Sequence, residues 1–271
     1  KALLMVKPLK LKKEKDIELL RESGSITSEI LRELAGMAKP GVSLMSLEKR
    51  ALEILESHKF ASSAFLDYLI EEDVPYPAVT NLSVNEIAIH GIPSEKIVLQ
   101  NGDVLSIDTG VDFKWRITDA AVTVPVGDVS PEVMKLMRTT YEATLAGIEK
   151  IRPGNLISDI YKTVTNYLLD RGYATSREYV GHGVGFDLHE QPLISNRSRT
   201  KIRNGLVLAV EPLGFLSRPS FLRLKLKNPD EDAWTMESED GSIAVHYEMT
   251  VALINDKVEI LTPLPVDCIG W

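Results

Sequence analysis

Apolar positions along the chain fall into two similar series. Pro40-Gly41 is followed by LMSLEKRALEILESHKF, and Pro153-Gly154 by ISDIYKTVTNYLLDRGY, a stretch of equal length. Leu44, Leu47, Ala51, Leu55 and Phe60 in the first match Ile157, Ile160, Val164, Leu168 and Tyr173 in the second. Steps of three and four residues are the period of a helix with one buried face. Ser46 and Ser158 are placed to cap these two helices. Each Pro-Gly also follows a further helical pattern, carried by Ile17, Leu20, Ile30, Leu31 and Leu34 in one case and by Val133, Leu136, Met137, Leu145 and Ile148 in the other.

The parallel continues downstream. NGDVLSID, from Asn101 to Asp108, reads against NGLVLAVE, from Asn204 to Glu211. Both are Asn-Gly turns that lead into a short, mostly apolar strand and end in a carboxylate. Two halves of this kind, helices followed by antiparallel strands, predict an α+β class and one pseudo-symmetric domain. The expected boundaries are a flexible basic segment over 1–13, a single domain over 14–263 with halves of roughly 14–127 and 128–263, and a tail over 264–271.

The strands also carry acids where acids are costly. Asp108 shares a strand face with Ser106 and Gly110, because side chains two apart point the same way. Asp119, in ITDAAVTV, lies on a strand expected to return antiparallel after a turn near Asp112 to Lys114, so the two aspartates meet on one face of a hairpin. Glu211 ends the matching strand of the second half, and Glu248, in AVHYEMTVAL, shares a face with His246 and Thr250. A strand apolar on both faces is buried, and a buried carboxylate must be paired, hydrogen-bonded or metal-bound. Few lysines or arginines stand in these strands to act as partners.

Composition narrows the choice of partner. The chain has 271 residues, 31 Lys+Arg against 39 Asp+Glu, and one cysteine, Cys268. That excludes an intrachain disulfide and a cysteine-built zinc site, and it suits a reducing compartment. A net charge of −8 argues against DNA or RNA as the main partner. The apolar run Ala2 to Val6 is too short for a membrane span or a secretory segment. A soluble, cytoplasmic protein with no membrane partner is expected.

Five histidines are present, and His58 reads as a helix-surface residue. His90 and His182 are flanked by glycine, and His189 stands in LHEQP. Four close carboxylates repel by about 1–4 kcal/mol per pair at intermediate dielectric constant. Two divalent cations balance four carboxylates, with a neutral imidazole as a further ligand. Oxygen-rich ligands with one nitrogen suit Mn, Fe, Co or Zn. Two such ions activate water at neutral pH. The spacing from His182 to His189 excludes the i, i+4 pair of an HExxH zinc helix.

The ordered set Asp108, Asp119, His182, Glu211, Glu248, with His90 in SVNEIAIHGIP and His189 in GHGVGFDLHEQP, closely resembles the type I methionine aminopeptidase family. The resemblance runs from about Glu14 to Pro263. It implies the pita-bread fold (the creatinase/aminopeptidase fold), a pseudo-two-fold antiparallel sheet covered by helices. The 36 residues between Glu211 and Glu248 leave no room for the helical insertion of type II enzymes.

By resemblance, Asp108 chelates one metal, Asp119 and Glu248 bridge two, and His182 and Glu211 complete the other. Glu211 also shuttles the proton of the bridging water. His90 and His189 bind the scissile amide and the developing oxyanion. The implied reaction removes the initiator methionine from the N-termini of nascent polypeptides when the second residue is small. A monomer is expected. Phe65, Tyr68, Tyr76, Asn81, Leu188 and Trp234 are expected to line the methionine pocket.

The chain departs from the family pattern at that pocket. FLDYLIEEDVPYP has about five extra residues between Tyr68 and Tyr76, with Glu71, Glu72 and Asp73 expected at a solvated tip. Phe65 and Asn81 stand where the family often has cysteine. The basic stretch Lys7, Lys10, Lys12, Lys13, Lys15 reads as a solvated terminus, with transient ribosome contact as the alternative. Rival readings are an Xaa-Pro aminopeptidase or dipeptidase of the same fold, a non-catalytic binding module, and a structural α+β protein with coincidental acids.

Overall fold

The computed structural model describes residues 9–69 and 74–270. Among them are four α-helices: α1 (Glu14–Met37), α2 (Leu44–Ser57), α3 (Pro131–Ile148) and α4 (Ile157–Asp170). Helices α2 and α4 are each 14 residues long. Their buried residues include Leu44, Leu47, Ala51 and Leu55 on one and Ile157, Ile160, Val164 and Leu168 on the other, the faces the periodicity assigns to the core.

The caps differ from expectation. The Ser43 hydroxyl accepts the Ser46 N–H at 3.3 Å, and the Asp159 carboxylate accepts the Leu156 N–H at 2.9 Å. Both helices therefore start before Ser46 and Ser158, which lie inside the first turn. Their early start follows from side chains that satisfy otherwise orphaned donors.

Each half contributes one antiparallel sheet to the centre of the molecule. In the first half the long strand Val104–Phe113 pairs with Ile117–Pro125 on one side and with Asn81–Val84 and Ala61–Ser63 on the other. The hairpin turn falls one step later than expected, at Lys114-Trp115. Phe113 and Arg116 exchange both backbone hydrogen bonds around it, at 2.9 and 3.1 Å. A two-residue turn that matches strand twist needs positive φ twice, and Lys114 and Trp115 adopt 51° and 62°.

In the second half the order across the sheet is Lys257–Ile260, Met249–Ile254, Val207–Val210, Gly181–Gly183. AVHYEMTVAL, expected as one strand, is two. Ala244–His246 pairs with Leu213–Phe215, and Met249–Ile254 pairs with Val207–Val210 in a different sheet. The break at Tyr247-Glu248 lets the chain cross to the other half.

That crossing is the seam of the fold. Glu248 and Ala121 exchange backbone hydrogen bonds at 2.9 and 3.2 Å. The Thr250 hydroxyl accepts the Asp119 N–H at 3.0 Å and donates to the Asp119 carbonyl at 2.7 Å. The Thr123 hydroxyl does the same for the backbone of His246, both at 2.8 Å. The helices cover these sheets. One apolar cluster contains Ile30, Leu34, Leu47, Leu105, Ile107, Leu136, Val164, Leu208 and Val251, so both halves share a core. No helix among the described residues is long and apolar enough to cross a membrane.

The segment before α1 is not uniformly solvated. Lys7 lies outside the described residues, and Lys13 and Lys15 are exposed. Lys12 is buried, its ammonium 2.5 Å from Glu190, and Lys10 stands 3.5 Å from Asp187. The Glu190 carboxylate accepts the N–H groups of Phe186 and Asp187 at 2.5 and 2.9 Å and is itself buried. A buried carboxylate of this kind requires a cation, and Lys12 supplies it.

Candidate metal centre

The acids are aimed by strand register. Asp119 stands opposite Gly110 and Asp108 opposite Ala121, so the two acids are diagonal neighbours on one face of the hairpin. His182 stands opposite Ala209, and Glu248 bridges to Ala121. Each of these four residues thus faces an alanine or a glycine, which leaves space beside the side chain. Glu211 follows directly after the strand Val207–Val210, its N–H bound to the Val180 carbonyl at 3.1 Å.

The result is a buried cluster at the seam. His182 Nε2 lies 3.3 Å from Glu211 Oε1 and 4.0 Å from both Asp119 Oδ2 and Glu248 Oε1. Asp119, His182 and Glu248 are 4%, 4% and 2% exposed. Ligand atoms of Asp119, His182 and Glu248 converge within 4.8 Å, and so do those of Glu211, His246 and Glu248. Asn81 was expected in the methionine pocket. Its amide donates to Asp108 Oδ2 at 2.6 Å, so it also orients an acid of the cluster.

Burial and mutual repulsion shift these groups strongly. Burial pushes the Asp108 carboxyl up to about 6. Burial, then the Asp108 and Glu211 carboxylates, hold Asp119 well above its ordinary range. Burial, then Asp119 and Glu211, do the same for Glu248. Glu211 goes the other way: burial opposes ionisation, but the imidazoles of His246 and His182 outweigh it and lower its pKa.

These residues fit a divalent cation. Six buried side-chain atoms among the described residues lack a hydrogen-bond partner, and four of them are here: Asp108 Oδ1, Asp119 Oδ1, Glu248 Oε1 and His246 Nε2. Proteins rarely leave such atoms unsatisfied, least of all in one place. His182 Nδ1 lies 3.0 Å from the Gly183 carbonyl. A proton on Nδ1 leaves the Nε2 lone pair facing the acids, the arrangement usual for a ligating histidine.

The remaining histidines adjoin the cluster. The ring of His189 lies 4.4 Å from that of His182, and its Nδ1 is 2.6 Å from the Tyr68 hydroxyl. Burial raises the Tyr68 phenol to about 12, so it keeps its proton at neutral pH. Burial lowers His189 to about 3, with His182 adding to the effect. With the phenol donating to Nδ1, neutral His189 carries its N–H on Nε2. Burial likewise lowers His90 to about 4. His90 sits at φ 58°, edge-on to Trp234 at 5.8 Å.

Phe65, Tyr76, Leu188 and Trp234 form one apolar cluster, with Tyr68 packed against it. A side chain on Gly110 would collide with the Phe65 ring, which fixes Phe65 over the strand opposite Asp119. The Tyr76 hydroxyl donates to the Thr80 and Gly91 carbonyls at 2.9 and 3.1 Å. Backbone bonds from Asp67 N–H to the Tyr76 carbonyl and from Tyr76 N–H to the Tyr68 carbonyl, each 2.9 Å, close the base of the long loop. The expected tip residues Glu71, Glu72 and Asp73 lie outside the described residues.

Sequence reasoning placed His246 beside Glu248 on a strand face and assigned it no role. The signal was its i, i+2 relation to an acid already suspected. The hydrogen bond from Asn81 to Asp108 required the register of Asn81–Val84 against Val104–Phe113, which no local pattern gives.

Comparison with known proteins agrees with this geometry. Residues 18–254 match the model of metallopeptidase family M24. A methionine aminopeptidase of Clostridium acetobutylicum is 37% identical over 256 residues, covering 93% of this chain and 98% of its own. The crystal structure of a methionine aminopeptidase from Thermotoga maritima superposes with a TM-score of 0.86 at 33% identity, covering 94% of this chain and 99% of that one. An Xaa-Pro dipeptidase from Bacillus anthracis shares the fold with a TM-score of 0.74 at 23% identity, and this chain covers 94% of itself and 62% of that protein.

Proposed function

The chain belongs to metallopeptidase family M24, and from that premise we propose that it removes the N-terminal methionine of newly made polypeptides. It is a metal-dependent aminopeptidase of the pita-bread fold. One observation carries the reading: four unpartnered buried ligand atoms meet at the seam between the halves. The identity to methionine aminopeptidases over nearly the full length of both chains supports this substrate over an Xaa-Pro peptide.

Asp108, Asp119, His182, Glu211 and Glu248 would hold two divalent ions drawn from Co, Mn, Fe and Zn. When bound, such ions supply Lewis acidity and bring the pKa of a water near neutrality. Glu211, held below its ordinary pKa, accepts a proton from the attacking water and passes it to the leaving amine as the amide C–N bond breaks. Neutral His189, oriented by Tyr68, donates to the oxygen that gains negative charge, and His90 hydrogen-bonds the scissile amide. Phe65, Tyr68, Tyr76, Leu188 and Trp234 receive the methionine side chain, whose thioether packs well against aromatic rings. Asn81 orients Asp108 from beside this pocket.

A small second residue is the preferred neighbour of the methionine, and the work belongs in the cytoplasm, where new N-termini arise. Transient ribosome contact is the finer form of this reading. Lys12 is engaged by Glu190, so any such contact falls to the exposed lysines around it. Salt-dependent cosedimentation with ribosomes tests it.

The decisive experiment is turnover of Met-Ala-Ser by protein loaded with Mn²⁺ or Co²⁺, beside a set of Xaa-Pro peptides. Release of methionine is expected. Cleavage of the Xaa-Pro peptides alone would reverse the assignment.

A further inference from the structure

Of the four unpartnered atoms in the cluster, the five ligands assigned above leave one unexplained, Nε2 of His246. Its residue is 2% exposed, and this nitrogen has no hydrogen-bond partner. It lies 3.7 Å from Glu211 Oε2 and 4.0 Å from Glu248 Oε2. Both separations exceed hydrogen-bond length. They suit two donors on one cation: ligands at about 2.1 Å from a tetrahedral ion stand roughly 3.4 Å apart, and wider angles spread them further.

The two glutamates are shared evenly between two imidazoles. Their Oε1 atoms face His182 at 3.3 and 4.0 Å, and their Oε2 atoms face His246 at 3.7 and 4.0 Å. His246 is held there by its backbone, whose N–H and carbonyl are both satisfied by the Thr123 hydroxyl. The ring is thus placed by the seam of the fold and its free nitrogen is aimed between two carboxylates.

Resting on the two-ion reading of the site, we infer that His246 is a sixth ligand of the centre, so that each ion has its own imidazole. A second nitrogen donor favours the ions that imidazole suits, such as Co²⁺ and Zn²⁺, over Mn²⁺, which prefers oxygen. His246 thereby sets which metal the enzyme holds.

The test uses the full chain stripped of metal and titrated with Co²⁺ or Mn²⁺, with stoichiometry from elemental analysis and affinities from calorimetry. X-ray absorption at the cobalt edge counts imidazoles per filled centre. The wild type is expected to show two. H246Q is expected to show one, and to lose more than about 100-fold in affinity for one Co²⁺ equivalent, beyond the usual cost of an outer-shell change. Its loss for Mn²⁺ should be smaller. The imidazole count is read on the unaltered protein, so it stands even if H246Q folds poorly.

A single imidazole in a wild type filled with two ions would overturn the inference and leave the two-ion centre intact. Equal losses for Co²⁺ and Mn²⁺ in H246Q with an unchanged imidazole count would also overturn it, and would make His246 a hydrogen-bond partner of Glu211. A wild type that binds no divalent ion would instead remove the reading beneath it.

Discussion

The two halves share a plan but hold their chemical groups in opposite ways. The first half presents Asp108 and Asp119 from the middle of a long, unbroken hairpin, Val104–Phe113 with Ile117–Pro125. The second half presents its groups where strands are short or broken: His182 in a three-residue strand, Glu211 just past a strand end, Glu248 between two strands of different sheets. To the metal cluster the first supplies only acids, which burial pushes up. The second supplies the imidazoles, which pull Glu211 down. A duplicated scaffold can therefore be rigid on one side and irregular on the other. The irregular side is where backbone breaks turn side chains toward a common point.

The sharpest way to break this comparison is to remove one acid from each half. Asp119→Ala and Glu248→Ala should each abolish methionine release and reduce bound metal, because each acid belongs to the joint cluster. The expected loss of kcat/KM exceeds about 1,000-fold, well beyond the 10–100-fold typical of outer-shell changes. Near-normal turnover in either variant would mean that the halves act separately. Next in size is His189→Ala, which removes a donor and leaves the cluster whole. A loss of about 10²–10³ in kcat with unchanged metal content is expected. Loss of metal as well would show that His189 supports the cluster instead of the substrate.

A smaller effect should separate the rigid half's own support from the ligands themselves. Asn81→Ala deletes the amide that holds Asp108 Oδ2 at 2.6 Å. Metal affinity should fall by about 10–100-fold while saturating metal restores kcat. A variant with unchanged affinity would show that the hairpin alone orients Asp108.

The fold was legible to different depths in the two halves. Helical spacing and the paired Asn-Gly strands exposed the duplication, because amphipathic period and turn chemistry are local. The ligands were legible as acids inside apolar strands, and their order supplied the family resemblance. Helix starts were misplaced because Ser43 and Asp159 act through side chains that periodicity ignores. The break at Tyr247-Glu248 was hidden because both flanking stretches are apolar; only the bridge from Glu248 to Ala121, between residues far apart in sequence, reveals it. Lys12 was misread for the same reason, since its partner Glu190 is remote along the chain. The contact of Asn81 with Asp108 follows from strand register, which the sequence does not display.

The smallest expected effect is on stability, and its sign follows from the raised acids. In the metal-free protein the carboxyls of Asp108, Asp119 and Glu248 titrate above the unfolded range, Asp108 at about 6. The folded state then holds more protons than the unfolded state from about pH 4 upward, so its stability falls as pH rises through 6. Glu211 has the opposite sign, but its pKa is lowered, so its contribution is lost only as pH falls below the ordinary carboxylate range. His90 and His189, lowered by burial to about 4 and 3, also have the opposite sign: the unfolded state sheds protons from them as pH rises through about 6.5, which offsets part of the acids' effect. Between pH 5 and pH 7 three raised acids stand against two lowered imidazoles, and the net change is a loss of stability. With chelator present, Tm should therefore drop by several degrees from pH 5 to pH 7, since about 1 kcal/mol moves Tm by roughly 2–4 °C in a chain of this size. Saturating Mn²⁺ should remove most of that drop, because bound cations favour the ionised acids, and binding at pH 6 should release protons to the buffer. A chelated protein that gains stability over this range would show that the lowered imidazoles of His90 and His189 outweigh the raised acids, and the contrast between the two halves would lose its electrostatic basis.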